Sequence, residues 1–113
     1  MKTDNHEVIF AIGNGGYADE VMNVAKEHGA RGGTILNARG VAREEAAAFF
    51  GITLHAEKEL LMIVVEKSIR DAVLNGIYKA MGMSKKATGI VFSLPVSDVA
   101  GLAKPIAEEI KPE

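Results

Sequence analysis

"ELLMIVVEKSIRDAVLNGIYKAMG", residues 59–82, holds the two signals that decide the fold. Its first nine residues, Glu59–Lys67, are an apolar run closed at both ends by charge and read as a strand. Ser68 then offers a helix N-cap, and Asp71 three residues on completes an S-x-x-D signature. Ile69, Ala72, Val73, Gly76, Ile77 and Ala80 fall on one face of the helix this predicts, with Gly82 as its stop. Alternate residues of a strand point to opposite sides, so Leu60, Met62 and Val64 line one face and Leu61, Ile63 and Val65 the other. Both faces are apolar, and two such faces need two covers.

Upstream, Glu7–Ile12 repeats the pattern, with Val8, Phe10 and Ile12 set against Ile9 and Ala11. A glycine-rich turn follows at Gly13–Gly16. Tyr17–His28 then reads as a helix on the spacing of Val21, Val24, Ala25 and His28, with Gly29 placed to end it. A second strand spans residues 32–40. Residues 41–58 form a connector in which Arg43–Phe50 has helical character for two turns. Downstream, the loop 83–89 leads to a last strand, Ile90–Val96. The order is β-α-β-β-α-β, a recognised supersecondary plan. Two helices cover only one face of a four-stranded sheet. A large apolar patch is seldom left in water, so the other face is expected to meet a second copy of the chain.

The chain has 113 residues, enough for one domain spanning 1–113, with residues 1–6 expected to be disordered. A net charge of -2 gives no basic excess for neutralising phosphate backbones, so nucleic acid is not an expected partner. The absence of cysteine excludes disulfides, thiolate metal sites and a cysteine nucleophile, and fits a reducing cytoplasm. No signal-like stretch opens the sequence and no apolar run is long enough for membrane insertion.

The candidate chemical motifs are sparse. "GNGGYA", residues 13–18, has the outline of a dinucleotide-binding turn. That fingerprint needs a parallel β-α-β unit and further strands to build a crevice, which four strands do not supply. Gly13–Ala18 is therefore expected to shape a corner, and replacing Asn14 to leave ligand binding nearly unchanged. His6, His28 and His55 share no metal-ligand spacing. Glu44 and Glu45 read as a solvated helix start, and Ser68 reads as a cap and not as a nucleophile, with no histidine or lysine partner indicated. No catalytic residue is indicated. Lys85 and Lys86 offer charge to a phosphate, and Phe49 and Phe50 offer an apolar contact to a partner.

Three stretches resemble the PII signalling family: "VMNVAKEHGARGGTILNARG", "KELLMIVVEKSIRDAVLNGIYKAMG" and "TGIVFSLPVSDVAGL". Their order and spacing fit residues 7–102. The resemblance implies an α+β, ferredoxin-like β-α-β-β-α-β sandwich: a four-stranded antiparallel sheet with two helices on one face, assembled as a homotrimer. It implies a non-enzymatic regulator, usually in nitrogen metabolism, that binds ATP or ADP in clefts between subunits. A loop between the second and third strands, the T-loop, then docks on a membrane transporter or a metabolic enzyme. Carried over by position, the nucleotide-binding residues are Thr34, Gly40, Arg43, Lys58 and Gly89, and the partner-binding loop carries Arg43, Phe49 and Phe50.

The departures from the family pattern fall on cations. Ile90 stands where a phosphate-binding lysine is usual, and Gly101 and Ala103 stand where two arginines are usual. Charge-assisted hydrogen bonds contribute about 1.5–3 kcal/mol each, so losing three weakens a polyphosphate site by several kcal/mol. ADP, ATP, AMP, another small anion or no nucleotide form the open set of ligands. Residues 41–58 are shorter than a full T-loop and contain no tyrosine. Two other readings stand beside the regulator: a small trimeric metal-binding protein of the divalent-cation tolerance type, and a ligand-free interaction module.

Overall fold

The computed structural model describes residues 1–41, 55–83 and 89–102. Its elements are β1 (His6–Asn14), α1 (Ala18–Glu27), β2 (Thr34–Val41), β3 (His55–Glu66), α2 (Lys67–Met83) and β4 (Gly89–Pro95). The four strands form one antiparallel sheet in the order β2-β3-β1-β4. This is the α+β, ferredoxin-like arrangement expected from the sequence, with both helices on one face.

Register fixes which residues share a face. Val8, Phe10 and Ile12 of β1 lie opposite Val64, Met62 and Leu60 of β3, and opposite Leu94, Phe92 and Ile90 of β4. On the other face Ile9, Ala11, Leu61, Ile63 and Val65 meet the helices and are buried. From α1 come Val21, Met22 and Ala25; from α2 come Val73, Ile77 and Met81. The buried stripes differ in detail from the predicted ones. Met22 replaces Val24 and the exposed His28, and Met81 replaces Ala72 and Ala80. The two helices touch where His28 lies over Gly76: a Cβ there would run into the imidazole, so a larger residue would have to push the exposed His28 ring aside.

Gly29 ends α1 as predicted. It has φ +109, the Gly29 N–H donates to the Lys26 carbonyl and the Ala30 N–H to that of Ala25, a Schellman closure. Several boundaries differ from the sequence reading, and these bear on the site. Strand β3 begins at His55, so residues 55–58 of the predicted connector belong to the sheet and pair with β2 as far as Val41. Helix α2 begins at Lys67, which puts Ser68 inside the first turn and not at the cap. The same helix passes through Gly82 to Met83. Of residues 1–6, expected to be disordered, His6 opens β1, and residues 1–5 are hydrogen-bonded to residues 97–99 and to the start of α2. Residues 42–54, with Arg43, Glu44, Glu45, Phe49 and Phe50, lie outside the described residues, as do Lys85, Lys86 and Ala103.

Candidate functional site

The strands end in one cluster of polar and glycine residues. At this end Gly13 lies opposite both Glu59 and Gly89, and Asn14 lies opposite Lys58. On the far side of β3, Ala38 faces Lys58 and Gly40 faces Ala56. Three of the sequence-predicted residues, Gly40, Lys58 and Gly89, are thus gathered at one end of the sheet. Thr34 is not among them. It lies opposite Met62, six residues up β2, about 20 Å away at the rise of a strand.

Lys58 is held in a defined posture. Its stem lies across Gly40, where a Cβ would meet Lys58 Cε at 3.0 Å and Cγ at 3.1 Å. The ammonium Nζ then donates to Asn14 Oδ1 at 2.7 Å. This alters one expectation from the sequence. Asn14 and Lys58 were assigned to separate places, a corner and a ligand site, but the side chains are bonded to each other. Asn14 is thus a partner of Lys58, which the sequence does not announce because the contact joins positions 44 residues apart.

The glycine turn itself is occupied by the chain's own carboxylate. Glu59 Oε1 accepts the Gly16 N–H at 2.6 Å and the Ala18 N–H at 3.2 Å. These amides open α1, where backbone donors lack helical partners and negative charge is favoured. The position at which a dinucleotide turn would receive a phosphate therefore holds Glu59. Gly16 has φ +97, which explains a glycine at the corner. Gly89 also has a structural reason to be glycine: a Cβ there would stand 2.9 Å from Gly13 Cα and run into the Ile12 carbonyl oxygen.

Cavity size separates the places a ligand can enter. Under Tyr17, Val21 and Leu61 there is about 10 Å³, room for a single water at most. At the polar end an open groove of about 900 Å³ runs past Asn14, Asn37, Arg39, Glu57 and Lys58. A second groove, of about 810 Å³, lies at the other end, where Thr34 meets Met62, Val64, Gly101 and Leu102. Of the predicted site residues, Lys58 lines the first groove and Thr34 the second. Among the described residues no group of three His, Asp or Glu side chains could hold a metal ion. No described helix is long and apolar enough to cross a membrane.

Comparison with known proteins points in one direction. The family model described as nitrogen regulatory protein P-II matches residues 6–104. A solved structure of Arabidopsis thaliana PII bound to citrate superposes with a TM-score of 0.67 at 25% identity, covering 88% of this chain and 82% of that one. No curated protein matches by sequence.

Proposed function

The chain belongs to the P-II family of nitrogen regulatory proteins, and on that premise we propose that it is a trimeric sensor of a small anionic ligand. Members of this family are non-enzymatic signalling proteins, and this chain is one of them. The ligand proposed is an adenine nucleotide, with ADP favoured over ATP because Ile90 and Gly101 supply no charge to a third phosphate. It would bind between subunits, with the Thr34 groove of one copy and the Gly40–Lys58–Gly89 end of another forming the two walls. The segment between β2 and β3 would carry the signal to a transporter or metabolic enzyme in the cytoplasm.

One observation supports this reading above the others: the face of the sheet away from the helices is apolar through its middle and lies open. Leu36, Val64, Ile90 and Leu94 are 47%, 39%, 58% and 49% exposed, with Phe10 stacked on Phe92 at 5.4 Å between them. Assembly through that face would bring one copy's polar sheet end beside another copy's Thr34 groove.

The test is a thermal-shift and calorimetric comparison of ADP, ATP and AMP. A ligand selective for the folded protein raises its melting temperature. Lys58→Ala is expected to weaken ADP binding by about 1–3 kcal/mol, the loss of one charge-assisted contact. Asn14→Ala is expected to change affinity too, since Asn14 holds the Lys58 ammonium. Equal indifference of the protein to all three nucleotides would overturn the ligand assignment.

A further inference from the structure

Residues 1–5 precede the stretch matched by the family model, which begins at residue 6. They are nevertheless tied into the fold at several points. The Thr3 N–H donates to the Ser97 carbonyl at 2.9 Å, and the Met1 carbonyl accepts the Val99 N–H at 2.8 Å. Lys2 and Asp98 form the antiparallel bridge between these bonds. Thr3 Oγ1 accepts the Asn5 N–H at 3.1 Å and lies 2.7 Å from His6 Nδ1, which fixes the bend into β1. The Asn5 carbonyl accepts the Lys67 N–H at 2.8 Å, satisfying a donor at the start of α2 that has no helical partner.

The segment these residues grip matters for the Thr34 groove. Strand β4 ends at Pro95, and beyond it the chain leaves the four-stranded sheet. The Val96 N–H still donates to the His6 carbonyl at 3.1 Å. From Ser97 to Val99 the described backbone bonds are those made by Met1 and Thr3. Gly101 and Leu102 follow directly and form one wall of the groove, facing Thr34, Met62 and Val64.

We propose that residues 1–5 are a strap that seats residues 96–102 as the wall of the Thr34 groove, and so act as a positioning element for whatever binds there. The strap orders that wall before a ligand arrives, which lowers the entropy that binding must otherwise supply. The mechanical part stands on the hydrogen bonds alone. The positioning part rests on the ligand reading of the preceding subsection.

The experiment compares hydrogen exchange and ADP titration in the full chain and in a variant lacking residues 2–5. The Val99 amide is expected to exchange about tenfold faster in the variant, the loss of one to two net hydrogen bonds, with Ile9 and Ile63 unchanged. The ADP dissociation constant is expected to rise with it. Thr3→Pro, which removes the donor to Ser97, should loosen the same segment, and Thr3→Ser, which keeps N–H and hydroxyl, should not. Unchanged exchange at Val99 would overturn the strap. So would equal acceleration at Ile9 and Ile63, which would make residues 1–5 part of the cooperative core. Faster exchange with unaltered ADP affinity would overturn the positioning role. If the full chain binds no ADP, the ligand reading fails, and the exchange result still decides the strap.

Discussion

The two faces of the sheet are built from alternate residues of the same strands and have nearly the same composition, yet they meet opposite surroundings. Ile63 is 1% exposed and Val64, its neighbour in sequence, is 39% exposed. The polar residues divide in the same way. On the helix-covered face, Glu7 receives Arg70 of α2 at 3.0 Å, and Glu59 receives the first amides of α1. On the open face the corresponding polar group, Lys58, is held by Asn14 of the adjacent strand. The charges of the covered face thus fasten helices to the sheet. The open face keeps its cation within the sheet and has no helix to hold. A face finished within one subunit differs here from a face left open, which another copy would cover in the proposed assembly.

The largest effect should come from the covered face. Ile63→Asp puts a carboxylate among Ile9, Leu61 and Ile77 with no partner. It is expected to cost about 3–5 kcal/mol, the size of an uncompensated buried charge, enough to unfold a domain of ordinary stability. Chemical denaturation read by circular dichroism checks it. Next comes Arg70→Met. Arg70 Nη1 also donates to Ser93 Oγ at 3.3 Å, so one guanidinium joins β1 and β4 to α2. Removing it leaves the buried Glu7 carboxylate unpartnered, at a cost of about 1–3 kcal/mol. The double variant Glu7→Gln with Arg70→Met should recover part of that loss. A double variant no more stable than Arg70→Met alone would show that the ion pair is not the reason.

These features were legible in the sequence to different degrees, and the reason is the range of the interaction. Alternation along 59–67 revealed both apolar faces and hence the sheet, since a period of two is a local signal. Gly29 as a helix stop was equally local. The Arg70–Glu7 pair spans 63 residues and the Lys58–Asn14 pair 44, and nothing near either partner announces the other. Ser68 misled for the opposite reason. A capping signature was present, but β3 runs straight into α2, and the Asn5 carbonyl takes the first free amide. Of the candidate residues that resemblance supplied, Gly40, Lys58 and Gly89 lie together at one end of the sheet and Thr34 does not. Resemblance could not reveal that Lys58 lies over Gly40 on its way to Asn14, which is a matter of register.

A smaller effect is expected where the covered face meets the start of α1. Glu59→Ala removes the acceptor shared by the Gly16 and Ala18 amides. Tyr17, the capping residue, makes no side-chain cap bond of its own, so no substitute stands nearby. The cost should be about 0.5–2 kcal/mol, as for loss of a helix cap. Hydrogen exchange should locate the loss in the first turn of α1. The mutated turn then also tests whether residues 13–18 can receive an anion. With its own carboxylate gone, the corner regains free amides, and added phosphate should restore part of the stability if such a corner can take an anion at all.

The smallest effect on the subunit, and the sharpest test of the comparison, should come from Val64→Asp. The side chain projects from the open face beside Val8, in register with it, and neighbours Leu94 across β1. In an isolated subunit the new carboxylate stays in water, so folding stability should change by about 0.5 kcal/mol or less, as for other surface substitutions. In an assembly closed over this face the same carboxylate is buried against apolar side chains and has no cation to meet. Light scattering should then report trimers for the parent chain and monomers for the variant, while its circular dichroism spectrum stays native. Ile63→Asp, one residue away, should do the reverse and lose the fold itself. If Val64→Asp unfolds as readily as Ile63→Asp, the subunit has no stability apart from the trimer, and the two faces form one core divided between copies. If Val64→Asp remains trimeric, the copies associate elsewhere, and the apolar face is covered by something other than this chain.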